Sequence, residues 1–64
     1  MEWSVWLGKR IFVRLKTSLG TIEFYSGVVN EVNTNHISII DKYNNKVTFA
    51  VKDIELIKED LKNA

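Results

Sequence analysis

One stretch of the sequence decides the fold of this chain: Ile22-Glu23-Phe24-Tyr25-Ser26-Gly27-Val28-Val29-Asn30-Glu31-Val32. It predicts a long β-strand, because its β-branched and aromatic residues suit a pleated, half-buried surface. Gly27 lies near the middle, and a glycine inside a strand pattern marks a bulge or a sharp bend. A strand bent in its middle allows a small sheet to curl into a barrel.

Shorter strands are predicted on both sides of this long strand. Residues 10–16 alternate with a period of two, which is typical of a half-buried strand. One face of that strand is apolar, with Ile11, Val13 and Leu15. The other face carries three cations and one aromatic ring: Arg10, Phe12, Arg14 and Lys16. Three further strands are expected at residues 36–41, 46–50 and 54–58, with a single 3-10 turn at residues 51–53 before the last.

Turn and end signals complete the order of elements. Residues 17–21, Asn33-Thr34-Asn35 and Asn44-Asn45 are predicted turns, since glycine and asparagine tolerate turn geometry. Residues 1–7 are predicted to form a helical turn that ends at Gly8 and docks its tryptophans, Trp3 and Trp6, on the sheet. The sequence thus predicts one all-β domain over residues 1–64: a helical turn (1–7), a five-stranded, strongly bent antiparallel barrel (8–58) and a polar tail (59–64).

Length and composition limit the possible functions. A chain of 64 residues has a marginal core, and it has no cysteine and one histidine, which excludes disulfides and a structural zinc site. Association with further copies of the chain is the remaining way to stabilise so small a core, so we expect a homo-oligomer. The net charge of +1 argues against duplex DNA as a ligand. No cofactor or metal is expected.

Catalysis and membrane insertion also lack support in the sequence. No serine has an evident base, the one histidine has no orienting carboxylate in its own strand, and no glycine pattern forms a phosphate loop. We therefore expect a protein that is not an enzyme. No apolar run is long enough for a membrane span, and the N-terminus lacks signal-peptide features, so a cytoplasmic location is expected.

Four stretches resemble the Sm and LSm family, which includes the bacterial Hfq proteins: residues 8–16, residues 25–33 around Gly27, residues 37–41 and residues 49–57. The resemblance covers roughly residues 3 to 58. It implies an SH3-like, Sm-like barrel whose fourth strand pairs with the fifth strand of the next copy and closes a ring. Here those strands are Lys46–Ala50 and Ile54–Lys58. It also implies single-stranded RNA as the ligand, held in pockets between loops.

The positions that hold RNA in that family are altered here. The aspartate of its first motif is Asn33, its asparagine falls on His36, and the basic pair of its second motif is Ala50-Val51. The resemblance then implies a pocket in which Asn33, Asn35 and His36 hydrogen-bond a base and Ala50-Val51 forms an apolar wall. Lys52 would supply the missing cation. The alternative is that the two asparagines only satisfy turn geometry and His36 merely begins a strand.

The strand face of Arg10, Phe12, Arg14 and Lys16 also has two interpretations. It is either a track for phosphates with Phe12 as a stacking surface, or a solvated face whose arginine stems cover Phe12. Two functions follow from the sequence as a whole. The first is a ring that binds single-stranded RNA through loop pockets, and the alternative is an SH3-like scaffolding barrel that binds a protein without RNA.

Overall fold

The computed structural model describes residues 3–60, which form one antiparallel sheet of five strands and two short 3-10 helices. The all-β class is therefore confirmed. The elements in chain order are a 3-10 helix at Trp3–Trp6, β1 at Arg10–Lys16, β2 at Ile22–Val32, β3 at His36–Ile40, β4 at Lys46–Ala50, a 3-10 helix at Val51–Asp53 and β5 at Ile54–Glu59. Across the sheet the strands follow the order β4-β3-β2-β1-β5.

The core lies on one face of this sheet. Alternation along β1 buries Ile11, Val13 and Leu15 and leaves the residues between them on the opposite, outer face, as predicted. The buried apolar side chains come from four of the five strands: Ile11, Val13, Leu15, Val29, Ile37, Ile39 and Phe49. Burying them removes apolar surface from water, which is the main favourable contribution to folding.

The short connection between the two edge strands shows that the sheet is strongly curved. In a flat sheet, β4 and β5 would lie four strand spacings apart, roughly 19 Å. The 3-10 helix Val51–Asp53 that connects them rises only about 2 Å per residue. A contact across the concave face agrees with this curvature, since the rings of Tyr25 and Phe49, on β2 and β4, have centroids 6.0 Å apart. Within residues 3–60 no pairing joins β4 to β5, so the described sheet is open and the closed barrel stays a prediction.

Gly27 allows two strands to approach closely. A Cβ atom at this position would lie 2.5 Å from the carbonyl oxygen of Ile40 on β3, which is far inside van der Waals contact. The register shift between β2 and β3 lies a few residues later, between Val29 and Glu31. The glycine is thus needed for the approach of the β3 backbone, and the irregularity that strengthens the bend follows it.

The two ends of the described chain are tied to the sheet. The N-terminal 3-10 helix ends at Trp6, one residue before the predicted bound, and Gly8 follows in the turn with a φ of 83°. The Gly8 N–H donates to the carbonyl of Val29. Both tryptophans, Trp3 and Trp6, pack against the core, which confirms their predicted docking. Residues 1 and 2 of the predicted helical turn lie outside the described residues.

The fifth strand ends one residue later than the predicted Lys58. Glu59 belongs to β5, where it is the register partner of Ile11, because β1 extends far enough to pair with it. Asp60 follows the strand and donates its N–H to the carbonyl of Arg10 at 2.9 Å. Residues 61–64 of the predicted tail lie outside the described residues.

The third strand ends at Ile40, one residue before the predicted Asp41. Asp41 belongs to the following turn, and its Oδ1 accepts the N–H of Tyr43 and of Asn45.

Candidate functional site

A cleft lies where β3 begins and β4 ends. His36 and Ala50 are register partners at this end of the β3–β4 pair, and the N–H of Val51 donates to the carbonyl of Asn35 at 2.8 Å. These pairings hold the turn before β3 against the 3-10 helix after β4. The cleft has a volume of about 360 Å³ and is lined by Thr34, Asn35, His36, Ala50, Val51 and Lys52. We call this the loop cleft.

Three of the four residues predicted for RNA binding line the loop cleft, namely Asn35, His36 and Lys52. The fourth, Asn33, is not among the lining residues. Its Oδ1 accepts the N–H of Asn35 at 2.9 Å and the N–H of His36 at 2.8 Å, so its side chain shapes the turn. For Asn33 the structure therefore agrees with the turn-geometry alternative.

The walls of the loop cleft differ in polarity. Ala50 and Val51 are the apolar residues of the lining, whereas Asn35 carries a side-chain amide and His36 an imidazole, and both of these residues are exposed. Lys52 Nζ lies 3.3 Å from Asp53 Oδ1, and the lysine side chain is 79% exposed. An ion pair this exposed contributes little, so the ammonium group remains available to an anionic ligand. A flat heteroaromatic ring linked to a phosphate matches this combination of groups.

Sequence reasoning missed Thr34 as a lining residue of the cleft. Thr34 lies between the two asparagines that were predicted to bind RNA. Its place in the same turn is the one sequence feature that indicates a position at the cleft. The asparagines of this turn are expected from turn geometry in general, and neither of them has a positive φ. The non-glycine residue with positive φ among the described residues is instead Asn44, at 67°, in the β3–β4 hairpin.

The second predicted surface is the outer face of β2, β1 and β5. The strand register places one residue of each strand in a row, with Phe24, Arg14 and Leu56 in one row and Ser26, Phe12 and Lys58 in the next. We define the outer face by Arg10, Phe12, Arg14, Lys16, Ile22, Phe24, Ser26, Leu56 and Lys58. The four β1 residues predicted to share one face do so.

Phe12 is covered from two sides on the outer face. The ring of Phe24 on β2 stacks with it at a centroid distance of 5.9 Å and an interplanar angle of 24°. From β5, on the other side of β1, Lys58 Nζ lies 5.7 Å from the centroid of the Phe12 ring. These contacts occupy the two sides from which a nucleobase would stack on Phe12. A shallow cleft of about 350 Å³ lies next to this ring, lined by Phe12, Lys58, Glu59 and Asp60.

The cations of the outer face differ in their pairing. Arg14 Nε lies 3.0 Å from Glu55 Oε1, and the register shift between β1 and β5 at Arg14 and Leu15 brings that carboxylate into reach. Within residues 3–60, Arg10, Lys16 and Lys58 have no carboxylate within ion-pair distance. This difference was not visible in the sequence, because it depends on the β5 register.

One half-buried tyrosine, Tyr25, has a raised pKa. Tyr25 Oη donates to Glu23 Oε1 at 3.2 Å on the concave side of β2. Burial raises the pKa of Tyr25 above 10.0, and both the hydrogen bond to Glu23 and the charge of Glu23 raise it further. Each of these effects favours the neutral phenol. Tyr25 lies in the core near Phe49 and lines neither cleft, so it concerns stability.

Other site types and relatives give no further guidance. Among residues 3–60, no three His, Asp or Glu side chains are placed to hold a metal ion. In the same range, no helix has the length and apolar character that crossing a membrane requires. Comparison of the chain with protein-family models, with curated proteins and with solved structures gives no match. Function must therefore be argued from the loop cleft and the outer face themselves.

Proposed function

We propose that this chain is an Sm-like barrel that assembles into a ring and binds single-stranded RNA in the loop cleft. The observation that carries the proposal is the register of β3 with β4. It brings Asn35 and His36 together with Ala50, Val51 and Lys52 around one cleft, although the two groups are far apart in the sequence.

Each wall of the loop cleft has a role in this proposal. The methyl groups of Ala50 and Val51 support one face of an unstacked base. The amide of Asn35 both donates and accepts hydrogen bonds, and it reads the edge of that base together with the imidazole of His36. Lys52 neutralises the adjoining phosphate. Single-stranded RNA supplies such splayed bases, whereas a duplex hides them.

Assembly is the second part of the proposal. A single shallow cleft gives weak binding, and a ring that repeats it multiplies the affinity for one strand of RNA. β4 and β5 are the edge strands of the sheet, and unpaired edges invite strand pairing. In the proposed ring, β4 of one copy pairs with β5 of the next, which leaves no edge exposed and closes the barrel wall between neighbours.

Fluorescence anisotropy with labelled oligo-uridine at low salt tests the binding site. Removing one contact, in Asn35→Ala, His36→Ala or Lys52→Ala, should weaken binding about fivefold, which corresponds to roughly 1 kcal/mol. The matched controls are Asn45→Ala and Lys42→Ala. Both residues are exposed in the β3–β4 hairpin, away from the cleft, and should leave affinity within about twofold of the wild type.

Two results would contradict the proposal. One is the absence of salt-sensitive binding of oligo-uridine by the wild-type protein at low micromolar concentration. The other is equal weakening by the cleft variants and by their hairpin controls, because binding would then depend on overall charge and not on the cleft.

A further inference from the structure

The outer face exposes apolar side chains on adjacent strands. Phe24 is 60% exposed, Ile22 is 43% exposed and Leu56 is 38% exposed. Phe24 and Leu56 are both register partners of Arg14, so they lie two strand spacings apart, roughly 10 Å. Arg14 lies between them in this row, and the ring of Phe12 lies in the next row, where it stacks with Phe24. Ile22, Phe24, Phe12 and Leu56 form an apolar surface that adjoins Arg14 and that no described residue covers.

The charge around this apolar surface is positive. Four cations lie on the outer face: Arg10, Arg14, Lys16 and Lys58. Three carboxylates adjoin it: Glu55 beside Arg14, Glu59 in the cleft next to Phe12, and Asp60 near Ser26, whose hydroxyl lies 3.4 Å from Asp60 Oδ2. Arg10, Lys16 and Lys58 are left without an ion pair within the described residues, and they border the apolar side chains. A ligand that buries this surface must bring negative charge to its rim.

The contacts of Phe12 favour a protein ligand over a nucleic acid. Phe24 and Lys58 already occupy both sides of its ring, so it offers no free planar surface for a base. The remaining apolar groups include Ile22 and Leu56, which pack against aliphatic or aromatic side chains rather than stacking on bases. An acidic peptide combines both features that the surface requires, since its carboxylates can pair with the cations and its apolar side chains can pack on Ile22 and Phe24.

We propose that the outer face docks an acidic segment of another protein, with an apolar side chain of that segment seated against Ile22 and Phe24. Its carboxylates then pair with Arg10, Lys16 and Lys58. This inference does not depend on RNA binding, because the outer face and the loop cleft share no residue. It is also compatible with strand pairing at β5, since pairing uses the backbone while Leu56 and Lys58 stand away from the sheet plane.

Selection from a library of displayed random peptides, with the wild-type protein as bait, tests this docking site. The expected outcome is enrichment of peptides that combine aspartate or glutamate with a large apolar residue. Synthetic versions of the selected peptides should bind at least about tenfold more weakly to Phe24→Ser, which removes the aromatic ring, and to Lys58→Glu, which reverses a charge at the rim. Tyr43→Ser and Lys42→Glu are the matched controls, since both residues are exposed in the β3–β4 hairpin.

Several results would overturn the proposal. Selection of basic or uncharged peptides, or of no peptide at all, would contradict an acidic ligand. Binding that is as weak in the Tyr43 and Lys42 controls as in the two test variants would place the site elsewhere. If oligo-uridine displaces the selected peptides from the wild-type protein and also from Lys52→Ala, the outer face would be a nucleic-acid site. If the wild-type protein is an oligomer and Phe24→Ser is a monomer, the outer face would instead be a contact between copies of this chain.

Discussion

Val51 donates its backbone N–H to the carbonyl oxygen of Asn35 across 2.8 Å, and this hydrogen bond fixes the geometry of the loop cleft. It joins the first residue after β4 to the last residue before β3, at the end of the sheet where His36 and Ala50 are paired. Because the bond uses backbone atoms only, the side chains of Asn35 and Val51 remain directed by the turn and by the 3-10 helix. The cleft is therefore a consequence of the β3–β4 register.

Asn33 stabilises the turn that forms one wall of the cleft. Its Oδ1 accepts two backbone N–H groups, from Asn35 and His36, and Asn33→Ala removes both hydrogen bonds. We expect a loss of about 1–2 kcal/mol in the free energy of unfolding, measured by urea denaturation. Asn33→Asp keeps an acceptor oxygen at the same place and should retain most of the stability. Equal losses in the two variants would show that the side-chain acceptor is unimportant.

Gly27 should tolerate no side chain. The Cβ atom of Gly27→Ala would meet the carbonyl oxygen of Ile40 at 2.5 Å, so β2 and β3 must move apart. We expect destabilisation of about 1–3 kcal/mol by urea denaturation, the range for inserting an atom into a packed interior. Ser26→Ala changes the neighbouring exposed residue and should stay within about 0.5 kcal/mol of the wild type. An unchanged stability in Gly27→Ala would contradict the close approach of these strands.

The hydroxyl pair of Ser38 and Thr48 is partly buried between β3 and β4, with 2.7 Å between their oxygen atoms. Ser38 is only 4% exposed, so Thr48→Val leaves its hydroxyl without a partner. We expect that variant to lose about 1–3 kcal/mol. Adding Ser38→Ala removes the unpaired group and should restore part of the loss, which a double-mutant cycle measures. Additive losses in the double variant would refute the coupling.

The raised pKa of Tyr25 makes stability depend on alkaline pH. Its pKa in the folded state lies above the ordinary value of 10.0, so the neutral phenol is favoured by folding. The resulting contribution to stability is complete below pH 10.0 and is lost as the pH rises through the folded-state pKa. Tyr25→Phe should therefore show a shallower decline of the urea midpoint above pH 10. Tyr43→Phe is the control, since Tyr43 is 71% exposed, and a decline equally reduced in this control would refute the assignment.

Most of the strand pattern could be predicted from the sequence, because alternation with a period of two is a local property. The bounds of β1, β2 and β4 agree with the prediction, and so does the 3-10 helix Val51–Asp53. The end of β5 differs by one residue. Glu59 is polar, and it belongs to β5 only because it pairs with Ile11 of β1, which is far away in the sequence. Such pairing leaves no trace in the local pattern.

The site was predicted in its composition but not in its internal roles. Residue type and the resemblance to the Sm and LSm family indicated Asn33, Asn35, His36 and Lys52. Only the fold shows that the side chain of Asn33 serves the turn and that Thr34 lines the cleft. The outer face shows the same limit. Its members on β1 follow from alternation, whereas the contacts of Phe12 with Phe24 and Lys58 depend on how three strands are placed side by side.

Native mass spectrometry of the wild-type protein, with and without oligo-uridine, tests the central claim most directly. We predict one closed homo-oligomer in the absence of RNA. On addition of oligo-uridine, its mass should rise by one RNA strand per ring. A monomer that remains monomeric and free of RNA at micromolar concentrations of both components would contradict the account.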